Sequence, residues 1–186
     1  MKSTAAYSIF EQSVKDFHVL DRIDQPYKNP HPPNSLAHLM YRKNWIDTIQ
    51  WHYEDLIRDP SINPAKALEL KRKIDASNQD RTDTVEYIDS YFLNQYSRVT
   101  PQADATTNTE SPAWAYDRLS ILSLKIFHMI EESQRNTASA FHRQQCADKL
   151  AVLQTQREDL FLAIDQLLDD LSKGRKIMKA YKQMKM

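Results

Sequence analysis

The stretch PAKALELKRKIDASNQDRTDTVEYIDSYFLNQY (residues 64–96) has the spacing of one long amphipathic helix whose inward stripe turns polar halfway along. Its apolar residues recur at helical spacing: Leu70, Ile74, Val85, Ile88 and Phe92. The same spacing places Ser77, Asn78 and Arg81 on the inward face. Burying amide and guanidinium groups without partners costs about a few kcal/mol each, so these side chains either form an internal polar network or line a site.

The composition of the chain favours an all-α fold. Its 186 residues include one glycine, against an ordinary usage of roughly 7%. Sheets and nucleotide-binding loops need glycine for tight turns and close backbone approach. Neither a GxGxxG motif nor a GxxxxGK(S/T) motif occurs. The 25 basic and 25 acidic side chains balance, so no nucleic-acid partner is expected.

Cysteine content and hydropathy indicate the compartment. The single cysteine, Cys146, excludes an intrachain disulfide and fits a reducing compartment. No apolar run approaches the roughly 20 residues of a membrane span, and the N-terminus lacks the apolar centre of a signal peptide. We therefore expect a cytoplasmic protein without a membrane span.

Eight prolines fall into three clusters that divide the chain, because proline lacks the donor and the φ freedom that a helix interior needs. Asn34 or Ser35, then Asn63 and Ser111, stand at the positions of N-caps. The predicted helices cover residues 3–23, 35–59, 64–96, 112–134 and 137–172. We therefore expect a single helical domain over residues 1–172, a bundle of about five main helices, followed by a basic extension over residues 173–186.

The last two predicted helices form a long C-terminal antiparallel hairpin. The fourth helix is apolar on most sides, which is typical of a central helix. The fifth has a heptad-like apolar stripe that Arg157 interrupts, and a charge there needs a partner. At about 1.5 Å per residue this helix spans roughly 50 Å. Since that length exceeds the width of so small a domain, we expect a homodimer through its exposed stripe.

The basic extension carries six lysine or arginine residues and no acid. Ile177, Tyr181 and Met184 would share one face of a helix, which permits peripheral binding to the inner face of an anionic membrane. A helical extension of the bundle is the favoured alternative, because lysines suit the negative end of a helix dipole.

The segment WHYEDLIR (residues 51–58) offers a candidate acid or base. His52 and Asp55 lie one helical turn apart, and the predicted bundle places them against Asn78 and Arg81, so His52 could transfer protons. Glu54 and Arg58 have the spacing of a helical ion pair. The alternative is a solvated face with a surface salt bridge of small energy.

Acidic residues on two helices permit a magnesium site. Glu54 and Asp55 on the second helix, with Glu86 and Asp89 on the third, are similar to the carboxylate layout of all-α nucleotide pyrophosphatases. Runs of acids on helix faces are more often simply solvated. No histidine or cysteine pair has the spacing of a zinc site, so the residues favour no metal, and magnesium enters only with this alternative.

Three blocks of sequence carry a resemblance: residues 51–58, 71–89 and 110–129. They resemble domain-of-unknown-function family 4254, a bacterial family found mainly in Bacteroidetes, and the similarity covers nearly the whole chain. Members of this family often lie near glycosyltransferase genes for envelope polysaccharide, which implies a cell-envelope glycan setting and no established reaction. The family's polar motif matches these residues: His52, Glu54, Asp55, Arg58, Asp75, Asn78, Gln79, Arg81, Asp83, Glu86, Asp89, Glu110, Pro112, Asp117, Arg118 and Lys125.

The favoured hypothesis is a polar pocket between the second, third and fourth helices that binds an anionic, sugar- or nucleotide-linked small molecule. Arg58, Arg81 and Arg118 would hold its phosphate or carboxylate by bidentate contacts. The remaining expected ligand-binding residues come from the resemblance: Asn78, Gln79, Asp117 and Lys125. The first alternative is a non-catalytic scaffold for envelope-glycan enzymes, in which the polar layer fixes helix register. The second is magnesium-dependent nucleotide hydrolysis.

Overall fold

The computed structural model describes residues 1–182 and 184, and this part of the chain folds as five helices without a sheet. The helices are α1 (Ser3–Phe17), α2 (Leu36–Ile57), α3 (Pro64–Gln95), α4 (Pro112–Gln134) and α5 (Ala140–Ser172). The all-α bundle predicted from composition is confirmed.

Capping side chains begin four of the five helices. The side chains of Ser35, Asn63, Ser111 and Ser139 each accept a hydrogen bond from a backbone N–H in the first turn of α2, α3, α4 and α5. Each satisfies one of the backbone donors that a helix start leaves without an internal partner. The proline clusters therefore located the starts of α3 and α4 correctly, whereas α5 begins three residues later than predicted.

Helix α4 is central, because it contacts each of the other four helices. It forms the predicted hairpin with α5, across the short connection 135–139. The main core surrounds α4 and contains these fully buried residues: Phe10, Met40, Val85, Ile88, Phe92, Tyr116, Leu119 and Ile164. A smaller cluster of Phe17, Tyr41 and Trp45 lies between the end of α1 and α2.

Arg157 lies at the edge of the α5 stripe rather than inside the core. Its guanidinium carbon is 5.4 Å from the centre of the Tyr7 ring and 5.8 Å from that of Phe161. The same guanidinium pairs with Glu158 at 2.7 Å. The side chain is 29% exposed, lies against two aromatic rings and is neutralised by Glu158, so the charge needs no buried partner.

The predicted end of α1 at residue 23 is wrong, since the helix ends at Phe17. The side chain of Gln25 donates a hydrogen bond of 2.9 Å to the Phe17 carbonyl, which caps the helix. Asp21 then has a φ of 51°, a left-handed conformation that no α-helix contains. This turn folds the chain back and brings Asp21 beside α2.

The basic extension is not helical in its described part, so the predicted helical extension is wrong there. Residues 174–177 instead lie extended along the loop before α4. Gln102 N donates to Gly174 O at 2.9 Å, Thr106 N to Arg175 O at 3.1 Å, and Ile177 N to Thr106 O at 2.9 Å. Tyr181 and Met184 are exposed, while Gln183, Lys185 and Met186 lie outside the described residues.

Candidate functional site

Arg81, in the polar interruption of α3, reaches a group of three buried charged residues of α2 and α4. We call the four residues the central charged layer: Lys43, Asp47, Arg81 and Asp117. Arg81 holds Asp117 by two hydrogen bonds, of 3.0 Å from Nε and 2.6 Å from one terminal nitrogen. The Lys43 ammonium contacts Asp47 and lies 2.8 Å from Asp117. The side chain of Lys43 is only 1% exposed and that of Arg81 is 23% exposed, and these two cations are matched by the two acids.

The two carboxyl groups of the layer respond differently to burial. Burial raises the pKa of Asp117, but the adjacent Lys43 and Arg81 charges outweigh it and hold that pKa below its ordinary value. Burial raises the pKa of Asp47 despite its contact with Lys43. Ser120 supports Asp47 by donating a hydrogen bond of 2.6 Å to Oδ2. Two cations and two acids in mutual contact are typical of an ion network that stabilises the fold, and not of a ligand-binding site.

Asn78 and Gln79 do not join this layer. Asn78 accepts a hydrogen bond of 2.9 Å from Gln50 of α2, and Gln79 donates one of 2.6 Å to Asp83 on the exposed face of α3. The inward position predicted for Asn78 is therefore an interhelical contact at the margin of the bundle.

The structure does not bring together the three arginines that were expected to bind one anion, Arg58, Arg81 and Arg118. Arg58 pairs with Asp55 at 2.9 Å on an exposed turn, while Arg118 donates from Nε to Glu110, also at 2.9 Å. The predicted pair of Glu54 with Arg58 is wrong, because Arg58 caps the end of α2 and reaches back only three residues to Asp55. Among the described residues, each of the three guanidinium groups is therefore paired with a different acid, which does not support one anion pocket formed by all three.

The structure instead brings together three histidines from α2, α4 and the residue after α1. We call His18, Asp21, His52 and His128 the histidine cluster. The ring centres of His18 lie 5.6 Å from His52 and 5.2 Å from His128. One oxygen of Asp21 lies 3.5 Å from Nε2 of His52 and 3.7 Å from Nε2 of His18.

Each histidine of the cluster has a buried Nε2 atom without a hydrogen bond. Nδ1 of His18 lies 2.7 Å from the Val14 carbonyl, which can only accept, so Nδ1 carries a proton and, in the neutral ring, the lone pair is on Nε2. Nδ1 of His128 lies 3.2 Å from the Glu131 carboxylate. Burial lowers the pKa values of His52 and His128, which favours neutral rings with available lone pairs.

The expectation that His52 and Asp55 face Asn78 and Arg81 is wrong. The His52 ring stacks on Phe17 at 5.0 Å and faces the other two histidines. Asp55 binds Arg58, so it does not orient the His52 ring.

A groove opens on the other side of His128, between α2, α4 and α5, with a volume of about 440 Å³. We call it the lysine groove, and it is lined by Trp51, Lys125, His128, Met129, Glu132, Lys149, Val152 and Leu153. Trp51 stacks on His128 with ring centres 4.9 Å apart. The wall is almost entirely apolar, and Lys125 and Lys149 are exposed at its rim.

The four acids of the magnesium alternative lie in separate parts of the bundle. Asp55 lines a cleft with Leu70, near the start of α3. Asp89 is buried beside Ser111 and Ala113 at the start of α4, where burial raises its pKa. Along α3, Leu70 and Asp89 are separated by about 28 Å at 1.5 Å per residue. The carboxylates therefore do not converge on one ion.

Sequence reasoning missed Lys43, Asp47, His18, Asp21 and His128. Lys43 and Asp47 did carry a signal, since they are four residues apart among the buried residues of α2. The histidine cluster carried none, because its members come from different helices and the turn after α1.

The fold and site define an all-α protein with a compensated charged layer at its centre and a histidine cluster beside a groove. A family profile described as "Protein of unknown function (DUF4254)" matches residues 37–180, so the chain belongs to this family. No curated protein and no solved structure matches the chain. Over the described residues, none of the helices combines the length and apolarity needed to cross a membrane.

Proposed function

We propose that the protein binds an anionic, nucleotide- or sugar-linked small molecule in the lysine groove. The observation that supports this most is the pairing of an apolar wall with two cations at its rim. Within the part of the chain that the structure describes, neither Lys125 nor Lys149 takes part in an ion pair, unlike the arginines considered above. Ligand pockets commonly combine an apolar lining with a few polar groups that orient the ligand.

The two parts of the groove suit the two parts of such a ligand. A planar base can lie against Trp51, Met129 and Leu153, while phosphate oxygens meet the lysine ammonium groups. Each lysine contact in a half-open groove contributes about 1 to 1.5 kcal/mol. Loss of both lysines should therefore cost about 2–3 kcal/mol, which is about a 30- to 150-fold weaker affinity.

Isothermal titration with uridine diphosphate, uridine monophosphate and inorganic pyrophosphate tests the proposal. We expect the diphosphate to bind most tightly, because only it supplies both a base and two phosphates. The double variant Lys125→Ala, Lys149→Ala should weaken its binding. The matched control is Lys66→Ala, which removes a lysine from the separate cleft beside Asp55. No binding of any probe, or equal binding to the double variant and the wild type, would contradict the proposal.

The setting we propose for this ligand is bacterial cell-envelope glycan synthesis, with envelope-glycan enzymes as partners. It is supported by the resemblance of residues 51–58, 71–89 and 110–129 to the family and by the use of nucleotide-linked sugars in such synthesis. A reducing, cytoplasmic location is supported by Cys146, which has no second cysteine for a disulfide.

The second candidate is a non-catalytic scaffold that acts as a homodimer. It is supported by the compensated central charged layer, which can fix helix register without any ligand. Phe141, Val152 and Leu162 also expose apolar surface along α5. Light scattering after size exclusion tests this candidate, since a dimer has twice the 21.8 kDa mass of the chain. A dimer that binds none of the three probes would favour the scaffold over the ligand-binding function.

A further inference from the structure

We propose that the histidine cluster is a binding site for a divalent transition-metal ion such as zinc, with Nε2 of His18, Nε2 of His52 and the Asp21 carboxylate as ligands. The His128 ring lies beside those of His18 and His52 but is not part of the proposed ligand set. This site does not depend on the proposed nucleotide ligand, although His128 borders both.

The ligand atoms are already close to a coordinating arrangement. Those of His18, Asp21 and His52 all lie within 4.8 Å of one another. In a tetrahedral zinc site with bonds of about 2.0–2.1 Å, ligand atoms lie about 3.4 Å apart. The Asp21 oxygen is already 3.5 Å from His52 and 3.7 Å from His18. Closure around an ion therefore needs side-chain shifts of about 1 Å or less.

Hydrogen bonds orient two of the three histidines in the cluster. The Val14 carbonyl fixes the proton of His18 on Nδ1, and Glu131 lies against Nδ1 of His128. Carbonyl and carboxylate partners on the far ring nitrogen are the usual support of metal-binding histidines. The three buried Nε2 atoms have no hydrogen bond, and such groups are costly unless something satisfies them. One metal ion would satisfy those of His18 and His52 together.

The backbone also supports the site. Asp21 adopts a φ of 51°, and non-glycine residues in this region cluster at functional sites. The turn that contains it is the reason α1 ends early, and it positions the carboxylate beside two imidazoles. Helix α1 therefore ends close to the point where the three ligand atoms meet.

The donor set selects the class of metal. Neutral imidazoles with one carboxylate suit zinc, cobalt, nickel or ferrous iron, whereas magnesium and calcium prefer oxygen ligands throughout. The cluster thus differs in chemistry from the magnesium alternative, which uses carboxylates elsewhere in the bundle.

Titration of the metal-free protein with zinc chloride, without nucleotide, tests the proposal. We expect one zinc ion per chain, and visible absorption bands of a low-coordinate site when cobalt replaces zinc. His52→Ala should weaken binding by at least about tenfold, since even supporting residues of metal sites contribute that much. Asp21→Asn should also weaken it, and because Asp21 is 57% exposed this variant keeps the folded structure.

The matched control is His142→Ala, which disrupts the other described group with metal-ligand geometry, Glu132, His142 and Cys146. We expect this variant to bind zinc like the wild type. Absence of zinc binding to the wild type, or loss of binding in His142→Ala with retention in Asp21→Asn, would overturn the proposal. Since no nucleotide is present, the zinc titration tests the metal site independently of nucleotide binding in the lysine groove.

Discussion

Replacing Lys43 with methionine tests whether the central charged layer is architecture. The substitution keeps the aliphatic length of the side chain and removes its ammonium group. Asp47 and Asp117, each about 5% exposed or less on their side chains, would then share only Arg81. Removing one partner of a buried charge pair costs about 3–5 kcal/mol, because the remaining charge is left without compensation.

Urea unfolding and thermal unfolding, both followed by circular dichroism, measure this loss. We expect a fall of about 3–5 kcal/mol in the free energy of unfolding of Lys43→Met, and a fall of about 6–20 °C in Tm. The control is Lys71→Met, which breaks an exposed pair with Asp75 and should cost less than about 1 kcal/mol. Equal stabilities of the two variants would refute the architectural role of the layer.

Two further variants separate structure from function. Arg81→Met removes both hydrogen bonds to Asp117 and should cost about 1.5–3 kcal/mol in urea unfolding, while uridine diphosphate binds as to the wild type. Gly174→Ala should cost about 1–3 kcal/mol, because Gly174 has a φ of +69° and an added Cβ would lie 2.5 Å from the Thr100 carbonyl oxygen.

Each of these two predictions has a result that would contradict it. Loss of uridine diphosphate binding in a folded Arg81→Met protein would indicate that the ligand binds at the central charged layer and not in the lysine groove. The matched control for Gly174→Ala is Ala180→Gly. It changes one methyl group in the same extension and leaves the backbone at Gly174 as it is. An unchanged urea midpoint in Gly174→Ala would contradict the fixed attachment of the extension to the loop before α4.

The helices were predictable because their signals are local. Pro64 and Pro112 follow capping residues, and periodic apolar residues mark the buried faces of α3 and α4. The end of α1 was not predictable in this way, because the Gln25 cap and the φ of Asp21 depend on how the chain folds back. The extension likewise takes its conformation from hydrogen bonds to a distant loop.

The site was predictable only in part. Helical spacing alone showed that Arg81 faces inward and needs a partner, and the structure supplies Asp117. The histidine cluster has no local pattern, because His18, His52 and His128 meet only through the packing of the ends of α1, α2 and α4. A search for ligand pairs within one helix cannot find a site that the tertiary fold assembles.

Anomalous diffraction at the zinc absorption edge, from crystals grown with zinc and uridine diphosphate, tests most directly where the functional site lies. The expected result is an anomalous peak between His18, Asp21 and His52, with nucleotide density in the lysine groove and none against Arg81. Density bound at Arg81 and Asp117, with neither the histidine cluster nor the groove occupied, would contradict it.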